Sequence, residues 1–125
     1  MVASRLVEVT LVRTWSPADP QANAGYRLIF AMALDAHGMP DVQALRAGTE
    51  PWPARLEMPD APPILGDVAH DEEGWALRFP QAGDSLSEAP LHRILGAGGW
   101  LRPGEVVSIR RPDGAESAWR IVAVE

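Results

Sequence analysis

The stretch LRPGEVVSIRRPDGAESAWRIVAVE, residues 101–125, is the part of the chain that most clearly decides the fold. Pro103 and Gly104 predict a type II turn, because proline fixes φ at about −65° and glycine accepts a positive φ. Arg111 to Gly114 predicts a type I turn that ends in a bulge, with Gly114 in the left-handed conformation. Alternating apolar residues follow each turn. The stretch therefore predicts a β-hairpin at the end of the chain.

The bulged turn also predicts the register of this hairpin, since it pairs Arg111 with Ala115 and therefore Val107 with Trp119. One face then collects four apolar side chains, those of Val107, Ile109, Trp119 and Ile121. Arg110 and Arg120 fall on the opposite face. A two-residue loop would mix apolar and charged residues on both faces, so the pattern favours the bulged turn.

Further strands are predicted by residues that alternate between apolar and polar. The segments are Arg5 to Arg13, Tyr26 to Leu34, Arg55 to Met58, and a second hairpin around the turn Asp71 to Gly74. In that hairpin Val68 faces Leu77, and Asp67 faces Arg78 as a cross-strand ion pair.

Helical signals are limited to two short segments. Asp41 and Gly48 bracket one of them, and Ser87 and Gly96 bracket the other, as N-cap and C-terminal stop. Each covers only about two turns, so neither would be stable without tertiary packing. We predict one domain over residues 1–125, mainly β, as a small β-barrel or β-sandwich. It would have about six or seven mostly antiparallel strands and one or two short helices.

Composition narrows the range of functions. The net charge of −6 argues against nucleic-acid binding, which depends on neutralising phosphates. The longest apolar run, Leu28 to Leu34, is too short to cross a membrane as a helix. The alternating N-terminal segment does not resemble a signal peptide, so we expect a cytoplasmic protein. All eleven basic residues are arginine and alanine and proline are abundant, a bacterial-like composition typical of a GC-rich genome.

The charges are unevenly distributed along the chain. Six acidic residues and no basic residue lie between Glu57 and Gly74, whereas five arginines and three acidic residues lie between His92 and Arg120. Such asymmetry favours contact with a partner.

Motifs for chemistry are missing from the sequence. The three histidines are more than twenty residues apart. The cluster His70 to Glu73 lies on a turn, where its side chains diverge. No serine lies in G-x-S-x-G or S-x-x-K, and the glycine-rich segment Gly96 to Trp100 has no lysine to bind phosphate. We therefore predict no catalytic residue, no metal site and no cofactor, and we favour a non-enzymatic role.

Aromatic residues in loops are the remaining candidates for binding. The candidate binding residues are Trp52, Trp100, Arg102, Arg110 and Arg120. The favoured hypothesis is a protein-interaction or assembly subunit, with a protein partner or a second copy of the chain. The alternative is a domain, or an enzyme, that binds a small molecule or carbohydrate. Its pocket would lie at the mouth of a barrel, lined by loop tryptophans and arginines.

Overall fold

A computed structural model describes residues 4–17, 25–80, 90–95 and 101–125. This part of the chain forms eight β-strands and one short α-helix. In chain order the elements are β1 (Arg5–Trp15), β2 (Arg27–Leu34), α1 (Val42–Ala47), β3 (Pro53–Met58), β4 (Ala61–Asp71), β5 (Gly74–Arg78), β6 (Leu91–Leu95), β7 (Val106–Arg110) and β8 (Glu116–Val124).

The strands form a closed antiparallel barrel. Each strand pairs with the next along the chain, and β8 returns to pair with β1. The mainly β fold is confirmed, and the barrel is the correct one of the two predicted architectures. The predicted strand count of six or seven is slightly too low, because the barrel has eight strands. Closure leaves no sheet edge unpaired, which removes a common route to aggregation.

The additional strand is β6, and here the sequence prediction is wrong. A helix was expected between Ser87 and Gly96, but residues 91–95 are extended. Ala76 of β5 and Arg110 of β7 both pair with Arg93. Without β6, strands β5 and β7 would each leave a row of unpaired backbone groups. Pairing with these two strands therefore overrides the weak local preference of residues 91–95 for helix. Ser87 and Gly96 lie outside the described residues.

The closing hairpin has the predicted register. Val107 pairs with Trp119, and the Arg111 N–H donates to the Ala115 carbonyl at 2.8 Å. Gly104 and Gly114 both have a positive φ, of 96° and 91°. The four predicted inner residues are all buried, namely Val107, Ile109, Trp119 and Ile121. The hairpin therefore forms part of the barrel wall and core.

The second hairpin also has the predicted register, with Val68 opposite Leu77 and Asp67 opposite Arg78. Its first strand, β4, begins at Ala61 and so includes Pro62 and Pro63. The preceding turn places Asp60 at a φ of 61°, and the pairing of β3 with β4 shifts register just beyond it. Such an irregularity lets a strand include prolines, which cannot donate a backbone hydrogen bond.

Since successive strands run in opposite directions, their connections alternate between two ends of the barrel. At the helix end, α1 lies between β2 and β3, and a tight turn joins β4 to β5. At the opposite end, which we call the cavity end, turns join β3 to β4 and β7 to β8.

The helix α1 begins and ends where the sequence predicts. The carboxylate of Asp41 accepts a hydrogen bond from the Ala44 N–H at 3.1 Å, and Gly48 is the C-cap. Ala44 and Leu45 pack against the barrel core, which supplies the tertiary support that a helix of six residues requires.

Candidate ligand-binding cavity

The barrel core is not filled evenly, because a cavity of about 500 Å³ lies at the cavity end. Strands β1 to β4 and β6 to β8 all contribute to its wall. The apolar part of the wall includes Leu28, Leu56, Phe79, Ile109 and Trp119. The charged and polar part includes Arg13, Tyr26, His92, Arg111 and Glu116.

The apolar wall belongs to the barrel core. Leu28, Ile109 and Trp119 are buried, and the indole N–H of Trp119 donates to the Ser117 hydroxyl at 2.8 Å. That bond satisfies the polar atom of the ring, so the rest of the indole presents an apolar surface. These side chains can contact the apolar part of a ligand without leaving a buried polar group unpaired.

Gly66 makes room for another part of the wall. A Cβ at this position would lie 2.8 Å from Cδ1 of Phe79 and only 1.8 Å from the carbonyl oxygen of Arg78. Only glycine allows β4 to approach β5 so closely. The absence of a side chain at Gly66 therefore sets the position of the Phe79 ring.

Arg13 and Tyr26 form a stacked pair in the polar wall. The guanidinium carbon of Arg13 lies 3.6 Å from the centre of the Tyr26 ring, a cation–π contact. The backbone N–H of Arg13 also donates to the Tyr26 carbonyl at 3.1 Å. The ring contact and the backbone hydrogen bond thus both hold Arg13 beside Tyr26 at the cavity.

His92 and Arg111 form a second polar region. The His92 ring packs edge-on against Phe79, with ring centres 5.3 Å apart. Burial lowers the pKa of His92 below its ordinary value of 6.5, and the nearby positive charge of Arg111 lowers it further, while Asp113 opposes the shift. His92 is therefore a neutral imidazole at neutral pH, able both to donate and to accept a hydrogen bond.

Of the predicted binding residues that the structure describes, none lines this cavity, although Arg110 contacts Glu116 of its wall. Trp52 is only 8% exposed and stacks on Trp75 at the helix end, with ring centres 6.1 Å apart. Arg102, Arg110 and Arg120 are exposed. Trp100 lies outside the described residues.

The cavity residues were missed for identifiable reasons. Arg13 continues the inward series Val7, Val9 and Leu11 of β1, so a charged residue at an inward position was a usable signal. His92 gave no comparable signal, because its segment was predicted to be helical.

The uneven charge distribution is partly neutralised within the fold. Arg93, from the basic segment, forms ion pairs with Asp71 and, at 3.3 Å, with Glu73. The hydrogen bond from Arg93 lowers the pKa of Asp71 to about 2. The acidic turn is thus occupied by a cation of the same chain. Among the described residues, no group of three or more histidines and carboxylates is placed to hold a metal ion.

Comparisons with known proteins place this chain in no family. No family model, no curated protein and no solved structure matches it. Within the described ranges, none of the helices has the length and apolar character needed to cross a membrane.

Proposed function

We propose that this protein binds a small, largely apolar molecule in the cavity at one end of the barrel. The observation that carries the proposal is a space of about 500 Å³ whose wall includes the core side chains of Leu28, Ile109 and Trp119. Sites for small ligands typically enclose about 300–1,000 Å³ and are mostly apolar, with a few polar groups that orient the ligand. The cavity agrees with that description in both size and lining.

The architecture supports the same proposal. An eight-stranded barrel has an interior just wide enough to be filled by side chains or to hold one small ligand. Protein interiors rarely leave voids much larger than a water molecule, because unfilled space forfeits packing energy. In this barrel a ligand-sized space remains at the cavity end.

Binding of N-phenyl-1-naphthylamine, a neutral apolar dye that fluoresces in apolar surroundings, tests the proposal. Ile64 lines the cavity and Leu65, the next residue of β4, is 67% exposed. The purified protein should bind the dye. Ile64→Trp should weaken binding by roughly ten-fold or more, because the larger ring occupies the ligand space.

Leu65→Trp is the matched control, because it adds the same ring to the same strand and should leave dye binding unchanged. If both variants bind the dye as well as the original protein does, the cavity is not the binding site. If the original protein binds no dye, the proposal is wrong.

Interaction with another protein is the second candidate function. It is favoured by the outer face of the closing hairpin, where Val106 is 53% and Val122 is 42% exposed and Arg120 lies opposite Val106. Exposed apolar residues around a charged one are typical of a contact surface. Light scattering over a range of protein concentrations tests self-association through this face. A monomer at all concentrations, with unchanged behaviour in Val106→Asp, would contradict association of two copies there.

A further inference from the structure

We infer that the ligand of the cavity is an amphipathic anion. Its apolar body would contact the core wall, and its negatively charged head group would bind between Arg13 and Arg111. The inference rests on the proposed function and adds the charge of the ligand to it.

The two arginines approach the cavity from neighbouring parts of the wall. Arg13 of β1 pairs with Trp119 of β8, and Arg111 directly follows β7, which pairs with the other side of β8. A single strand, β8, therefore separates the two cations: Arg13 lies beside Trp119, and Arg111 lies beside Ala115, which directly precedes the same strand. Both arginines line the cavity, so a head group over this part of β8 would have a cation on each side.

Of the described residues, two carboxylates near the cavity, those of Glu116 and Asp113, are engaged in exposed ion pairs. Glu116 accepts a hydrogen bond from Nε of Arg110 at 3.4 Å, with both side chains about half exposed. Asp113 lies 3.6 Å from Arg111, and both of these side chains are more than half exposed. Exposed pairs of this kind are weak, so an incoming anion can compete with Asp113 for Arg111.

The geometry of Arg13 also suits an anion. Its guanidinium stacks on Tyr26 through its face, whereas the N–H donors of a guanidinium lie in its plane. Stacking through the face therefore fixes the plane in which the N–H donors lie. Donors in one plane fit carboxylate, sulfonate or phosphate oxygens. His92, neutral because burial and Arg111 lower its pKa, adds a hydrogen-bonding group without adding charge.

The surrounding protein makes this arrangement unusual. The whole chain carries a net charge of −6, which repels anions at long range. The wall also contains Glu116, but this carboxylate is paired with Arg110. Arg13 and Arg111 thus give the described part of the wall an excess of positive charge, opposite in sign to the average surface. Charge complementarity at the cavity consequently favours an anion over a neutral or cationic ligand of the same size.

Three ligands with the same octyl chain test this inference: octane-1-sulfonate, octan-1-ol and octyltrimethylammonium. Each would compete with N-phenyl-1-naphthylamine for the intact protein. The sulfonate should displace the dye at a concentration roughly ten-fold lower than the alcohol, as expected for charge-assisted hydrogen bonds. The ammonium compound should be weaker than the alcohol.

Matched variants show which residues cause the preference for the sulfonate. Arg13→Gln and Arg111→Gln should each lower the affinity for the sulfonate more than the affinity for the alcohol, and so remove most of the advantage of the sulfonate. Arg120→Gln removes an exposed cation that does not line the cavity and should leave that advantage unchanged. Circular dichroism shows that each variant is folded.

The outcomes separate the two proposals. If the alcohol and the sulfonate bind equally well, or if the preference survives in both Arg13→Gln and Arg111→Gln, the inference is wrong while the apolar cavity still binds ligands. If the ammonium compound binds best, the inference is also wrong. If neither the dye nor any octyl ligand binds, both proposals are wrong.

Discussion

The two ends of the barrel are built from similar residues but packed in different ways. At the helix end Trp52 is buried, stacks on Trp75, and is accompanied by a helix that packs against the core. At the cavity end Trp119 is equally buried, yet about 500 Å³ remains beside it. Arg13 and His92 contribute to the wall at the cavity end, whereas at the helix end the His70 ring packs edge-on against Trp75.

Under the proposed function, the helix end contributes mainly to stability and the cavity end contributes to ligand binding. A close contact such as the stack of Trp52 on Trp75 adds packing energy and therefore stabilises the fold. An unfilled end gives up some of those contacts and places charged groups beside apolar ones, which reduces stability. Natural proteins accept such losses mainly at functional sites. Substitutions at the helix end should therefore affect stability alone, whereas those in the cavity wall should also affect binding.

The largest expected effect tests the aromatic stack at the helix end. Trp52→Ala should lower the free energy of unfolding by about 3–5 kcal/mol, because it removes a large buried ring and leaves Trp75 without its stacking partner. Urea unfolding followed by circular dichroism measures the change. Trp15→Ala is the control, since Trp15 is 46% exposed at the end of β1 and should cost much less. Equal losses in both variants would contradict the description of the helix end as the packed one.

A second, somewhat smaller effect is expected at Gly66, between the two ends. Gly66→Ala places a Cβ 1.8 Å from a backbone oxygen, so β4 and β5 must separate and Phe79 must move. We expect a loss of about 2–3 kcal/mol in the free energy of unfolding, as for other overpacked sites, together with altered dye binding.

Gly48→Ala is the matched substitution for that test. Gly48 has an ordinary φ of −78°, and its nearest neighbour would be an oxygen at 3.4 Å. This variant should be nearly neutral in urea unfolding and in dye binding. If Gly66→Ala is equally neutral, the close approach of β4 to β5 does not shape the cavity.

Much of the barrel could be predicted from the sequence where turn residues and alternation agreed. The turn at Arg111 to Gly114 determined the pairing of Val107 with Trp119, because only one register placed all the apolar residues on one face. Residues 91–95 could not be predicted in the same way. They form a strand because β5 and β7 leave backbone groups to be paired, and that requirement comes from residues distant in sequence.

The cavity was predictable only as a general alternative, without its residues. A pocket at a barrel mouth follows from the fold class, but loop tryptophans were expected to line it. Trp52 instead packs in the core at the other end. Burial of a loop residue depends on the path of the whole connection, which no local pattern encodes. The inward position of Arg13 on β1 was the one sequence signal that pointed to the cavity wall.

The smallest expected effect is a dependence of stability on pH that originates at the cavity end. In the folded protein burial, and then the charge of Arg111, lower the pKa of His92 below 6.5. As the pH falls below about 6.5, the unfolded chain binds a proton at this residue before the folded chain does, so acidification favours unfolding. The stabilising contribution of neutral His92 is thus fully present above that pH and decreases as the pH falls towards the folded pKa.

His92→Phe keeps an aromatic ring beside Phe79 and removes the titrating group. Between about pH 7 and pH 5.5, the original protein should lose more stability in urea unfolding than this variant does. Between about pH 7.5 and pH 8.5, where His92 is neutral in both states, the two proteins should change in parallel. A binding anion should also raise the pKa of His92, so saturating octane-1-sulfonate should reduce the difference between the two proteins. If the two proteins lose the same stability on acidification, His92 is not held neutral in the cavity wall.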